Sequence, residues 1–214
     1  PGLGLPWRCA RCALPLPEHD TACPDCAGLA PAFSRTIIAF DYAPPADALV
    51  LQLKNGRRYG RADLLGNLLA EAVRHQAQPL EPGTVLVPIP ASSASLLRRG
   101  FNPAAEIARA LGRDLALPIR HDLLRRSREQ AKQSGLGRLG RREAVRGLYA
   151  CAPRARGLRV GLVDDVMTTG STLHAAAAAL RMAGAASVVA LAVARTPGQF
   201  PAGLRARPRA ECRD

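Results

Sequence analysis

Between Val160 and Thr172 an apolar run ends in two adjacent carboxylates, Asp164 and Asp165, and a turn rich in hydroxyls follows, Thr168-Thr169-Gly170-Ser171-Thr172. The apolar run Arg159-Val160-Gly161-Leu162-Val163 reads as a buried strand. The alanine-rich segment from Ser171 to about Ala183, with Leu173, Leu180 and Met182, reads as a helix that Gly184 ends. Ser187 to Val193 is a second buried strand. Strand, helix and strand in such close succession form a βαβ unit, whose two strands lie parallel in one sheet. Ligands of open α/β sheets sit beyond the carboxyl ends of the strands, where the acids and hydroxyls of this stretch fall.

The residue types define the ligand. Backbone N–H groups and the hydroxyls of Thr168, Thr169, Ser171 and Thr172 can converge on one phosphate, assisted by the positive end of the helix. Gly170 has no Cβ to obstruct the approach. Asp164 and Asp165 would repel that phosphate. They suit its neighbours in a sugar phosphate, a pair of hydroxyls or a bound Mg2+. An ordinary helix cap needs one such residue, not four hydroxyls and a glycine behind two acids.

At the other end of the chain, Cys9-x2-Cys12 and Cys23-x2-Cys26 hold four of the six cysteines. Two such knuckles can place four thiolates in a tetrahedron around structural Zn2+, with no position left open for catalysis. Disulfides are the alternative, though nothing in the chain points to export. His19 between the knuckles reads as a solvated bystander and Cys151 as a small core residue, with Cys212 in the tail. The first 32 residues carry few large apolar side chains and read as a module that needs its metal to fold.

Between these ends the chain alternates strands and helices. Thr36 to Phe40 reads as a strand and Tyr42 to Pro45 as a turn, with helices over Ala46 to Leu53 and Ala62 to Gln76. In the second helix Leu64, Leu65, Leu68, Leu69 and Val73 form one apolar stripe. Thr84 to Pro90 reads as a buried strand running into a loop. Asn102 then caps a helix with Pro103 at its first position, Ile107, Ala108 and Leu111 on its apolar face, and Gly112 at its end. From Arg125 to Arg146 the chain is basic, broken by glycines and poor in apolar anchors.

The whole chain has 214 residues, 48% of them apolar, enough for one α/β core with a small appendage. No apolar run approaches the roughly 20 residues of a membrane helix. The start, Pro1-Gly2-Leu3, resembles no signal peptide, so a cytoplasmic protein without membrane insertion is expected. The formal net charge of +13 fits nucleic acid or an anionic substrate, but nearly all of it is Arg, with Lys54 and Lys132 the two lysines. A compositional bias toward Arg accounts for it equally well, so the charge alone decides nothing. Aromatic residues are only 4% of the chain, few for stacking on bases, and Trp7 and Tyr59 read as core residues.

The stretch from Val163 to Thr172 resembles the 5-phosphoribosyl 1-pyrophosphate (PRPP) motif of type I phosphoribosyltransferases. The four-cysteine module, Lys54 with Gly60, Val87-Pro88-Ile89-Pro90, Arg99-Gly100-Phe101-Asn102 and the basic segment follow in the order found in the ComF competence-protein family. The resemblance spans about residues 8 to 195. It implies a type I phosphoribosyltransferase fold with a central, mostly parallel sheet over residues 33–196. A zinc-binding module at residues 1–32 would precede it, and a disordered tail at residues 197–214 would follow.

By the same resemblance, Asp164 and Asp165 would hold the ribose 2- and 3-hydroxyls, and Thr168, Thr169, Gly170, Ser171 and Thr172 the 5-phosphate. Pro88, Pro90, Arg98, Arg99 and Gly100 would form the pyrophosphate loop. Arg126 to Gly147 would be a flap closing over PRPP and Mg2+. The flap departs from the family pattern at Gln130, Gly137 and Ala144, and Pro103 follows Asn102 in place of the usual Gln; Gln133, Leu136, Arg141 and Gly147 match. Purine transferases carry an Asp as base where this chain has Thr168. Flap cations would then serve in its place, with Lys132 and Arg128 as the catalytic candidates. Two readings follow. One is a PRPP-binding factor of DNA uptake or utilization whose partners are single-stranded DNA or other uptake proteins. The other is an enzyme that transfers phosphoribose to a nitrogen nucleophile.

Overall fold

The computed structural model describes residues 7–17, 22–27, 30–56, 60–127 and 147–198. In chain order the strands are β1 (Trp7–Arg8), β2 (Pro15–Leu16), β3 (Thr36–Asp41), β4 (Thr84–Pro88), β5 (Leu124–Arg126), β6 (Tyr149–Cys151), β7 (Arg159–Met167) and β8 (Ser187–Arg195). The helices are α1 (Asp47–Gly56), α2 (Gly60–Arg74), α3 (Ser93–Arg99), α4 (Pro103–Leu115) and α5 (Ser171–Met182). Strands β3, β8, β7 and β4 lie side by side in that order, every pair parallel. The βαβ unit read from the sequence is β7-α5-β8, at the centre of the sheet.

Both faces of the sheet are covered, which is why its strands are apolar throughout rather than alternating. On one face Leu86, Val163, Leu191 and Val193 pack against Leu65, Leu69, Ile107 and Leu111 of α2 and α4. Gly161 makes room there: a Cβ on it would lie 2.9 Å from both Leu86 Cδ2 and Leu191 Cδ1. On the other face Val85, Val87, Val160 and Leu162 meet Leu173, Ala176 and Leu180 of α5. The same cluster takes in Cys12, Leu14, Leu16 and Phe33 from the cysteine-bearing segment. That segment therefore buries Cys12, Leu14 and Leu16 in the core of the sheet.

The expected elements are present with shifted ends. β7 continues through both aspartates to Met167, and β8 continues to Arg195. α4 is capped by Asn102, whose side chain accepts from the Ala104 N–H, with Pro103 in the first turn. It runs past Gly112 to Leu115, where Ala116 adopts the left-handed conformation. Gly112 is there for space, since a Cβ on it would come within 2.8 Å of the Leu117 carbonyl oxygen.

Other expectations are corrected. The stripe on α2 is narrower: Leu65, Leu69 and Val73 are buried, while Leu64 and Leu68 are exposed at its edge. Met182 is exposed beyond the packed face of α5, and Trp7 is 52% exposed rather than a core residue. The loop after β4 contains α3, opened by the Ser92 hydroxyl accepting from the Ser95 N–H and closed by Gly100 at φ 80. Cys151 is half-buried against the core. Expectations for His19, Tyr59, Cys212, the segment 128–146 and the tail beyond Gly198 fall outside the described residues. Among the described residues no helix is long and apolar enough to cross a membrane.

Candidate functional site

β7 delivers Asp164 and Asp165 to the carboxyl end of the sheet, both half-buried. Asp164 Oδ1 accepts from the Asp165 N–H at 2.9 Å. Asp165 Oδ2 lies 3.0 Å from Nζ of Lys54, which stands in the last turn of α1. Burial, and then the charge of Asp165, push the Asp164 carboxyl up to about 8, against the pull of Lys54. The two acids thus differ: one is matched by a cation, and the other holds a proton near neutrality.

The turn behind them is built for close approach. Gly170 stands at φ 73, in the left-handed region, and its carbonyl accepts from the His174 N–H in the first turn of α5. The Thr169 and Ser171 hydroxyls are 2.7 Å apart, with Ser171 buried and Thr168 exposed. Thr168, Thr169 and Gly170 therefore form a turn that runs directly into Ser171 and Thr172, the first two residues of α5.

The loop after β4 is tied to the same end of the sheet. The Ile89 N–H donates to the Val163 carbonyl at 2.8 Å, and Asn102 Nδ2 donates to the Ile89 carbonyl at 2.9 Å. Pro88 is buried and Pro90 half-buried, while Arg98 and Gly100 are exposed and Arg99 half-buried at the end of α3. Lys132 and Arg128 lie outside the described residues. The ends of their segment are nonetheless held together, because β5 pairs antiparallel with β6 and the Ser127 N–H donates to the Leu148 carbonyl. In that hairpin the Arg126 guanidinium lies 5.9 Å from the centre of the Tyr149 ring. Burial drives the Tyr149 phenol up to about 12.

The four cysteine sulfurs of Cys9, Cys12, Cys23 and Cys26 all lie within 4.8 Å of one another. Cys9 and Cys26 are 3.9 Å apart and Cys12 and Cys23 3.4 Å apart. A tetrahedron with metal–sulfur bonds of about 2.3 Å has edges of about 3.8 Å, whereas a disulfide is about 2.05 Å long. The spacing suits one metal ion, and neither of these pairs is at disulfide distance. Burial, and then the charge of Cys12, push Cys23 up to about 12, and burial with its neighbours' charges raises Cys26 as well. Four sulfurs this close could hold one metal ion, whose charge would offset that effect and favour the thiolates.

Arg195, which the sequence pattern does not single out, joins the two sites. It ends β8 and is 1% exposed. It donates from Nε to the Cys12 carbonyl at 3.1 Å and from its guanidinium to Asp25, between Cys23 and Cys26. It also donates to the carbonyls of Met167 and Thr168, at the entry of the hydroxyl loop. The available signal was a lone cation closing an otherwise apolar strand.

Comparison with known proteins identifies the family and the fold. Residues 94–200 match the family described as phosphoribosyl transferase domain. The chain is 32% identical over 190 residues to DNA utilization protein YhgH of Escherichia coli (strain K12), spanning 88% of this chain and 84% of that protein. It is 28% identical over 192 residues to competence protein F of Haemophilus influenzae, spanning 87% and 84%. The chain belongs to the ComF family. A 39% identity over 111 residues to competence protein ComFC of Bacillus subtilis covers 49% of this chain and 41% of that one. The parallel sheet of this ComF-family chain is that of a type I phosphoribosyltransferase, and its cysteine cluster lies against the sheet's core.

Proposed function

We propose that this ComF-family protein binds PRPP at the junction of β7 and α5 and acts in DNA uptake or DNA utilization. The observation that carries the reading is the sequence of groups at that junction: two half-buried acids, a left-handed glycine, and a hydroxyl loop opening a helix. Asp164 and Asp165 would accept from the ribose 2- and 3-hydroxyls, and Thr168 to Thr172 would hold the 5-phosphate. The loop bearing Pro88, Pro90, Arg98, Arg99 and Gly100 would receive the diphosphate, where guanidinium forks match phosphate oxygens. Mg2+ bound with PRPP would neutralise that diphosphate. The fit of the four sulfurs supports structural Zn2+ at Cys9, Cys12, Cys23 and Cys26, and a cytoplasmic setting would keep those thiols reduced.

The DNA-related role rests on the relatives named for DNA utilization and competence and on the net charge of +13. Single-stranded DNA or another uptake protein is the partner this reading implies. Phosphoribosyl transfer to a nitrogen nucleophile is the second reading. It is favoured by the hairpin of β5 and β6, which brings together the ends of the segment carrying Arg128 and Lys132. With Thr168 where a base would stand, those cations would have to support the departing diphosphate and stabilise charge in the transition state.

Titration calorimetry with PRPP and Mg2+ tests the binding site. The Asp164→Asn, Asp165→Asn double variant is expected to lose affinity by about 10- to 100-fold, since a hydrogen bond to a charged acceptor, here Asp165, contributes about 1.5–3 kcal/mol. Undiminished affinity in that variant rules the site out. Pyrophosphate release across a panel of bases and amines separates the two readings: stimulation by one acceptor supports the enzyme, and silence with PRPP bound supports the accessory role. Binding to single strands should weaken steeply with salt.

A further inference from the structure

The cysteine cluster and the hydroxyl loop share one buried guanidinium. Arg195 reaches both knuckles, through the Cys12 carbonyl in the first and Asp25 in the second. The same group holds the Met167 carbonyl at 3.3 Å and the Thr168 carbonyl, immediately before Thr169 and Gly170. A second strut runs alongside it. The Ala32 N–H donates at 3.1 Å to Nδ1 of His174, in the first turn of α5, so the chain leaving the second knuckle grips the helix that follows the loop.

The consequence follows from the stiffness of buried, charge-assisted contacts. Asp25 is 6% exposed and lies between two cysteines, so its carboxylate is placed by the knuckle that the metal closes. Loss of the metal frees that knuckle, because a site of this kind is assembled by its ion. Arg195 then loses its anchored carboxylate, and the Thr168 carbonyl is held less firmly, while the Met167 carbonyl keeps the Thr196 N–H at 3.0 Å. We propose that Arg195 is the positioning residue of the phosphate loop, and that through it metal binding at the four cysteines and anion binding at Thr168 to Thr172 favour each other. This rests on the PRPP reading for the identity of the anion. The coupling must be reciprocal: if the metal tightens PRPP, PRPP slows loss of the metal by the same free energy.

The test uses the full chain, with zinc and after removal of zinc by a chelator. Amide hydrogen exchange at Thr168 to Ser171 is expected to slow by about tenfold on zinc loading. In Arg195→Lys, which keeps a positive charge but lacks the fork, zinc should still bind while that protection largely disappears. Equal exchange with and without zinc in the unaltered chain overturns the coupling, whatever the loop binds. Calorimetry then supplies the reciprocal measurement. PRPP should bind about 5- to 150-fold more tightly to the zinc-loaded chain, and saturating PRPP should slow zinc transfer to a metallochromic dye. Failure of PRPP to bind at all overturns the reading of the site, and the exchange experiment still decides the coupling. If Arg195→Lys does not fold, Asp25→Asn keeps an acceptor and removes its charge. It should weaken both effects, and full coupling in that variant also overturns the proposal.

Discussion

Lys54 places its ammonium nitrogen 3.0 Å from Asp165 Oδ2, while among the described residues the adjacent Asp164 has no comparable cation. The Lys54–Asp165 pair is mostly buried, with 21% and 14% of the side chains exposed. Removing the lysine leaves two neighbouring carboxylates with less positive charge near them. Lys54→Met is therefore expected to destabilise the fold by about 1–3 kcal/mol, between the values for exposed and buried pairs. Asp165→Asn should recover part of that loss. Urea unfolding of both single variants and the double variant measures the interaction, and additive losses would show that the pair contributes nothing.

Asp164 makes the fold sensitive to pH. Its carboxyl is raised from an ordinary 3.8 to about 8. A group that holds its proton more tightly when folded favours folding at low pH, and that contribution is lost as pH rises between the two values. Asp164→Asn, which keeps the acceptor for the Asp165 N–H, should therefore stabilise the protein by about 1–2 kcal/mol at pH 8. The advantage should shrink as pH falls and vanish below about pH 4. Thermal melts across that window provide the measurement, and a variant no more stable than the parent at pH 8 contradicts the assignment.

Gly170 combines a φ of 73 with a position at the mouth of α5. A Cβ there would sit 2.5 Å from Met167 Cε, a flexible tip that can move aside. What cannot be avoided is the left-handed backbone, which costs a non-glycine residue about 1–2 kcal/mol. Gly170→Ala should lower the melting temperature by a few degrees and weaken PRPP binding by about tenfold, a factor worth about 1.4 kcal/mol. Calorimetry on the folded variant separates the two effects.

Gly66 tests the packing behind the site. In an isolated helix, replacing an interior glycine by alanine gains about 1 kcal/mol. Here the added Cβ would lie 2.4 Å from Ala110 Cβ and 3.0 Å from the Leu111 backbone nitrogen, where α2 crosses α4. Overpacking should win, and Gly66→Ala is expected to destabilise by about 1–3 kcal/mol. Gly60→Ala is the control, since a Cβ added there would meet nothing within 4 Å. Equal urea midpoints for the two variants would show that the helices can separate to accommodate the methyl group.

The features legible in the amino-acid order are those set by neighbours along the chain. The apolar run of β7, its two acids and the hydroxyl loop encode a strand, a turn and a helix start within a few residues, so residue order alone locates the candidate site. The paired knuckles announced a cluster of four cysteines for the same reason, because each Cys-x2-Cys is a local turn. Asn102 and Pro103 marked the start of α4 equally well.

Partners distant in sequence left no such trace. Five apolar residues on α2 describe a stripe, but contact with α4 and the sheet decided that Leu65 and Leu69 are buried and Leu64 and Leu68 lie at the edge. α3 carries exposed Leu96 and Leu97 and no buried residue, so hydrophobic periodicity could not reveal it. Arg195 and Cys12 stand 183 positions apart. A single arginine at the end of an apolar strand carries no record of which carbonyls and carboxylate it will meet. Local order along the chain dictates the loop and the knuckles, and the closing of the core brings them onto one guanidinium, because burying that charge requires acceptors from both.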